Sequence, residues 1–212
     1  MRVIRFFAIA AMLFVGGAVV AQETAFVGAT VIARADAPPI ANATILMEGG
    51  RIVAVGRAGE IPMHPNTTVL DMTGKWIIPG LIDAHIHFFQ SGGLYTRPDV
   101  IDLRAVRPYE AELAEIWARL PQTFARYLAS GVTGVVDVGG PFKNFEVRDL
   151  ARHSALAPHV AVAGPLLATI APKQLASDDP AIVRIDSPDA ARAEVRRQAA
   201  RKPDLIKIWF IR

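Results

Sequence analysis

From Gly80 onward the chain alternates short, apolar, β-rich runs with stretches of helical spacing, and this alternation constrains the fold more than any other feature. Leu81–Phe88, Val132–Val138, His159–Leu167 and Asp204–Phe210 read as strands, the second bracketed by Gly131 and Gly139-Gly140. Between the first two, Leu113, Ile116, Trp117 and Leu120 recur at helical spacing, with Phe124 and Leu128 beyond a break expected at Pro121. Asn144–His153 supplies a second helix. A third begins with Ser187 as cap and Pro188 in its first turn, carries Ala191, Val195 and Ala199 on one face, and stops at Pro203. Strands alternating with helices in this way argue for parallel βαβ units and an α/β fold. A complete eight-stranded barrel needs about 250 residues, and residues 80–212 supply about half of that.

Residues 22–79 differ in character. Thr44–Glu48 and Arg51–Val55 are β-type runs joined by Gly49-Gly50, a connection suited to a tight hairpin. Phe26–Ala33, Thr67–Asp71 and Trp76–Ile78 are further short runs between Pro-, Gly- and Asn-bearing turns. A sheet this small has little core of its own. Ahead of it, residues 1–21 read as a secretory signal: Arg2 and Arg5, an uncharged apolar run Phe6–Val20, and small residues before Gln22. A membrane-spanning helix wants about 20 apolar residues, more than this run offers. The expectation is therefore an exported protein, periplasmic or secreted, with no membrane association once the leader is cleaved.

Composition excludes several chemistries. Cysteine is absent, which removes disulfide scaffolds, thiolate metal sites and cysteine nucleophiles together. The formal charge is +3, and without Arg2 and Arg5 the chain holds 21 basic against 20 acidic residues. No basic patch with interleaved aromatics accompanies it, so no nucleic-acid partner is expected. Gly92-Gly93 and Gly139-Gly140 lack the spacing of a phosphate cradle and read as loops.

The sharpest chemical signal is His85 and His87. Positions two apart on a strand share a face, so both imidazoles can grip one divalent ion. Two strand-end histidines making ordinary hydrogen bonds would produce the same spacing. Lys207 is the second candidate, a lysine between Ile206 and Ile208 on an expected central strand. Burying its ammonium unpaired is costly, so either its charge is altered or its stem carries the amine to solvent. Asp83 shares the parity of the two histidines and can orient them or pair with a basic group. Asp137 reads as an ordinary strand-end acid, His64 as exposed in a turn, and His153 and His159 as structural residues before the third strand.

The stretch Lys75-Trp76-Ile77-Ile78-Pro79-Gly80-Leu81-Ile82-Asp83-Ala84-His85-Ile86-His87 resembles the first barrel strand of the metal-dependent amidohydrolase superfamily, and Ile45–Gly56 with Val69-Leu70-Asp71 resembles the segment before it. The resemblance implies a small β-sandwich segment over residues 22–79, then an incomplete (β/α)8 TIM-type barrel of about four strands over residues 80–212. It implies His85 and His87 as metal ligands and Lys207 as a carbamate, formed with carbon dioxide, that bridges two divalent ions, zinc foremost. The lysine resembles that of the imidazolonepropionase-like and Xaa-Pro dipeptidase-like branch, implying hydrolysis of an amide or dipeptide C–N bond in a small molecule. Similar sequences often carry arginine in place of Val136. Two further histidines and an acid/base aspartate belong on later strands and are expected beyond Arg212, making the chain an amino-terminal fragment. The rival expectation is a catalytically inactive, exported half-barrel that binds or assembles, self-associating through unpaired strand edges.

Overall fold

The computed structural model describes residues 23–90, 95, 97 and 100–210. The leader expected over residues 1–21 and the Gly92-Gly93 loop lie outside the described residues. Two compact units divide between Pro79 and Gly80. Among the described residues no helix is long and apolar enough to cross a membrane.

The first unit holds β1 (Glu23–Val31), β2 (Ile40–Glu48), β3 (Arg51–Arg57), β4 (Thr68–Asp71) and β5 (Trp76–Ile77). Hydrogen bonding joins all five into one sheet, in the order β3-β2-β1-β4 with β5 also on β1. The hairpin β2–β3 turns at Gly49 and Gly50 with φ of 56° and 77°. That pair of positive values defines the turn whose twist suits antiparallel strands. On the other side of β1, β4 and then β5 pair with it in parallel. Ala29, Val31, Ala43 and Ile45 make a small core, with Phe26, Met47 and Ile77 packed on it.

In the second unit, β6 (Leu81–Ile86), α1 (Tyr109–Ala129), β7 (Val132–Asp137), α2 (Asn144–Arg152) and β8 (His159–Val162) follow in order. β9 (Leu166–Ala168), β10 (Ile182–Arg184), α3 (Pro188–Ala199) and β11 (Ile208–Trp209) complete it. The strands form two parallel three-stranded sheets, ordered β6-β7-β8 and β10-β9-β11. Ile86, Phe88, Val135 and Val160 pack against Leu120 and Phe124 of α1 and against Val147 and Ala151 of α2. Each of these side chains larger than alanine stabilises the fold by about 1.5–3 kcal/mol on burial. The β6–β7 register shifts between Asp83 and Ile86 and the strand ends at Ile86; there Ile86 and Phe88 join the core against the helices, while His85 and His87 line a cleft.

The third strand and two of the helices depart from expectation. The third strand is not continuous over His159–Leu167: it stops at Val162 and resumes at Leu166, since Pro165 has no N–H for a ladder and its carbonyl is taken by Gln198 Nε2 at 2.8 Å. Pro121 does not break the first helix, which runs unbroken through it. Only the bond to the Trp117 carbonyl is forfeited, and burial of Leu120 and Phe124 outweighs that loss. In α3, Ser187 Oγ accepts from Ala190 N–H at 3.2 Å as expected of a cap. The buried face, however, is Glu194 and Gln198, while Val195 stays 37% exposed. Gln198 Nε2 donates to Glu194 Oε1 as well as to Pro165, and Glu194 pairs with Arg197. A polar side chain with partners there replaces the apolar stripe.

Arg148 of α2 fixes the approach to β11. Its guanidinium donates to the carbonyls of Lys202 at 2.6 Å and Arg201 at 3.0 Å, and to Asp204 Oδ2 at 3.3 Å. Asp204 in turn accepts from Val162 N–H at 2.9 Å, while its own N–H donates to the Val162 carbonyl at 3.0 Å. The fourth strand, expected over Asp204–Phe210, has regular pairing with β9 only at Ile208 and Trp209.

Candidate functional site

His85 and His87 stand side by side at the carboxyl end of β6, their ring centroids 5.5 Å apart and their planes at 77°. His85 is exposed, and the His87 side chain is 17% exposed. Asp83 Oδ1 accepts from His85 N–H at 3.1 Å, so this acid steadies the backbone of the first histidine. His87 Nδ1 lies 2.6 Å from the Gly139 carbonyl oxygen and 4.0 Å from Asp137 Oδ1.

Lys207 comes just before β11, where its carbonyl accepts from Leu167 N–H at 2.9 Å. Lys207 and Trp209 share a face by the two-residue period. Both line a cleft of about 210 Å³ together with His85, His87, Phe89 and Leu166. The structure thus brings His85, His87 and Lys207 to one cleft. His64, His153 and His159 stay outside it: all three are exposed, His64 in the first unit, His153 at the end of α2 and His159 at the start of β8. Among the described residues no three His, Cys, Asp or Glu side chains gather to hold a metal ion.

Asp137 plays a larger part than a strand-end acid. It is wholly buried. Its Oδ2 accepts from Phe88 N–H and from Asn144 Nδ2, each at 2.9 Å, and its Oδ1 accepts from Gly139 N–H at 2.9 Å. One carboxylate thereby ties the end of β6, the turn after β7 and the first residue of α2. Burial pushes its pKa up to about 7, against the pull of the three donated hydrogen bonds. The only signal in the sequence is an acid two residues before a Gly-Gly pair; Phe88 lies 49 positions away.

A model of the amidohydrolase family matches residues 76–209, and the chain belongs to that family. Its members are hydrolytic enzymes that generally use divalent metal ions. The 8-oxoguanine deaminase of Pseudomonas aeruginosa is 31% identical over 102 residues, covering 44% of this chain and 22% of that protein. The imidazolonepropionase of Bradyrhizobium diazoefficiens is 32% identical over 96 residues, covering 43% and 23%. A prolidase solved with N-methylphosphonate-L-proline superposes with a TM-score of 0.66 at 22% identity, over 88% of this chain and 46% of that one. The chain therefore spans about half the length of the matched prolidase, and its alignments cover about a quarter of these two curated relatives.

Proposed function

We propose that this chain carries the first part of a metal-dependent amidohydrolase that cleaves amide or dipeptide C–N bonds in small molecules. One observation carries the reading: His85, His87 and Lys207, far apart in sequence, line the same cleft. The prolidase and imidazolonepropionase likenesses support C–N chemistry. In this reading β6, β7, the interrupted β8–β9 run and β11 stand for four strands of an incomplete (β/α)8 barrel, the sheet of residues 23–79 stands for the β-sandwich segment that precedes it, and residues 1–21 direct export to the periplasm or beyond.

The donor set fits a divalent ion. Neutral imidazole is a good ligand for zinc, and an exposed His85 beside a half-buried His87 presents two of them on one face. A bound ion supplies Lewis acidity toward a carbonyl oxygen and a water of lowered pKa. Lys207 would serve as a carbamate: its neutral amine attacks carbon dioxide, an N–C bond forms, one proton leaves to solvent, and the anion remains in the cleft. Trp209, Phe89 and Leu166 give that cleft apolar walls that thin the water around a substrate. No residue of this chain is assigned as the acid/base group, and no histidine follows His159 in the sequence.

The test is metal content and carbamate together. Purified protein loaded with zinc under 13C-bicarbonate should bind zinc and show a carbamate carbon resonance. His85→Ala and His87→Ala should lose the zinc, and Lys207→Ala the resonance. Equal zinc in the wild type and both histidine variants would overturn the reading.

One observation favours assembly as a second reading. Ile82 on β6 and Ile208 on β11 are each 70% exposed, on strands that pair on one side only among the described residues. Light scattering of the purified chain should then give a defined oligomer, and a monomer would remove this reading.

A further inference from the structure

We propose that Asp137, acting through the Gly139 carbonyl, is a positioning residue that fixes the tautomer of His87 and so decides which ring nitrogen offers its lone pair. The proposal rests on the reading of His87 as a metal ligand for its consequence, but not for its geometry. A carbonyl oxygen only accepts hydrogen bonds, so with Nδ1 at 2.6 Å from Gly139 O the proton sits on Nδ1. In the neutral ring the lone pair then belongs to Nε2. Ligating histidines owe much of their orientation and basicity to a partner on the other nitrogen.

What holds that carbonyl in place is Asp137. Its Oδ1 takes the N–H of Gly139 itself, and its Oδ2 takes the N–H of Phe88, the residue directly after His87. A single carboxylate therefore grips both sides of the His87–Gly139 contact. Asn144 Nδ2, from the first residue of α2, holds the second oxygen and so fixes the carboxylate to the helix layer. At 4.0 Å from Nδ1, Asp137 is too far to bond the ring. Its three donors engage both oxygens, and the wholly buried carboxylate does not line the cleft, which makes it a positioning group rather than a ligand. The turn tolerates no side chain: Gly139 has φ of 131°, and a Cβ there would meet Leu166 Cδ1 at 2.7 Å. The Gly139-Gly140 pair that reads as a plain loop in the sequence is thus the mount for the acceptor of His87.

The experiment is long-range 1H–15N correlation NMR of the histidine rings in metal-free protein, paired with zinc titration by calorimetry. Wild-type His87 should be protonated at Nδ1. Asp137→Asn puts an NH2 where one oxygen accepted and should give a mixture of tautomers with about 10–100-fold weaker zinc binding. Asn144→Ala, which leaves the carboxylate and both backbone bonds, should shift the tautomer less. A wild-type ring protonated at Nε2 overturns the proposal without any variant. So does an Asp137→Asn protein that keeps both the Nδ1 tautomer and wild-type affinity. If His87 shows the expected tautomers but zinc binding ignores His87→Ala, the positioning device stands and the metal-ligand reading falls.

Discussion

Replacing Arg148 by methionine should uncouple β11, and with it Lys207, from the rest of the second unit. Methionine keeps the apolar stem but donates nothing, so the carbonyls of Arg201 and Lys202 and the carboxylate of Asp204 lose their shared donor. Were all three left dry, each would cost about 1–3 kcal/mol. The Arg148 side chain is 6% exposed but that of Asp204 is 36% exposed, so water recovers part of the loss on the Asp204 side. A net destabilisation of about 2–4 kcal/mol follows, near the lower range for removing one partner of a buried ion pair. With a urea dependence of about 2 kcal/mol per molar, the midpoint of the second unit should fall by about 1–2 M. Hydrogen exchange supplies the local readout. The amides of Val162, Leu167 and Asp204, whose bonds join the third and fourth strand segments, should lose protection while β1 and β2 keep theirs. Lysine at 148 should restore less than half, because a point charge cannot serve three acceptors as a planar fork does. A loss below about 0.5 kcal/mol with unchanged exchange would refute the reasoning.

Other outcomes follow from single contacts. Ser187→Ala removes the cap on Ala190 N–H and should cost about 1 kcal/mol, read as a lower denaturation midpoint, with Ser187→Asp near neutral. Pro121→Ala returns an N–H to an exposed position of α1 and should raise stability by about 1–2 kcal/mol, less than the full helix-interior penalty because proline also restricts the unfolded chain; a loss would show that the proline is needed for the helix path. The side-chain bonds from Arg104 hold the Asp102 carboxyl down to about 2, below its ordinary 3.8. Any stability from this pair is present above the ordinary value and lost as pH falls toward 2. A carbon-detected titration should place the Asp102 midpoint near 2 and move it toward the ordinary value in Arg104→Gln; an unmoved midpoint would remove Arg104 as the cause.

Features that depend on neighbours in sequence were legible before the structure. The Gly49-Gly50 hairpin needs only two adjacent residues with positive φ. The pairing of His85 and His87 follows from their two-residue spacing, with Ile86 and Phe88 between and after them in the helix-facing core. Features that depend on partners across the fold were not legible. Nothing near Pro121 announces that Leu120 and Phe124 will be buried deeply enough to carry the helix past it. Nothing in α3 announces that Gln198 will find the Pro165 carbonyl and turn the polar side inward. Asp137 reads in the sequence as an ordinary strand-end acid for the same reason: its donors arrive from three separate segments. That Lys207 shares a cleft with the histidines required the path from Asp204 to Trp209, which Arg148 sets from another helix.

The gap between β8 and β9 makes the third strand an elbow, and the Asp204–Lys207 segment is a strut across it. One end of the strut is fastened to Val162 ahead of the bend and the other to Leu167 beyond it. The amine's station relative to the imidazoles is therefore set by the length of Leu205-Ile206, two residues that never touch the cleft. Inserting one residue there would turn Lys207 to the outer face and swing Ile208 inward, emptying the cleft of its amine while leaving every sheet intact.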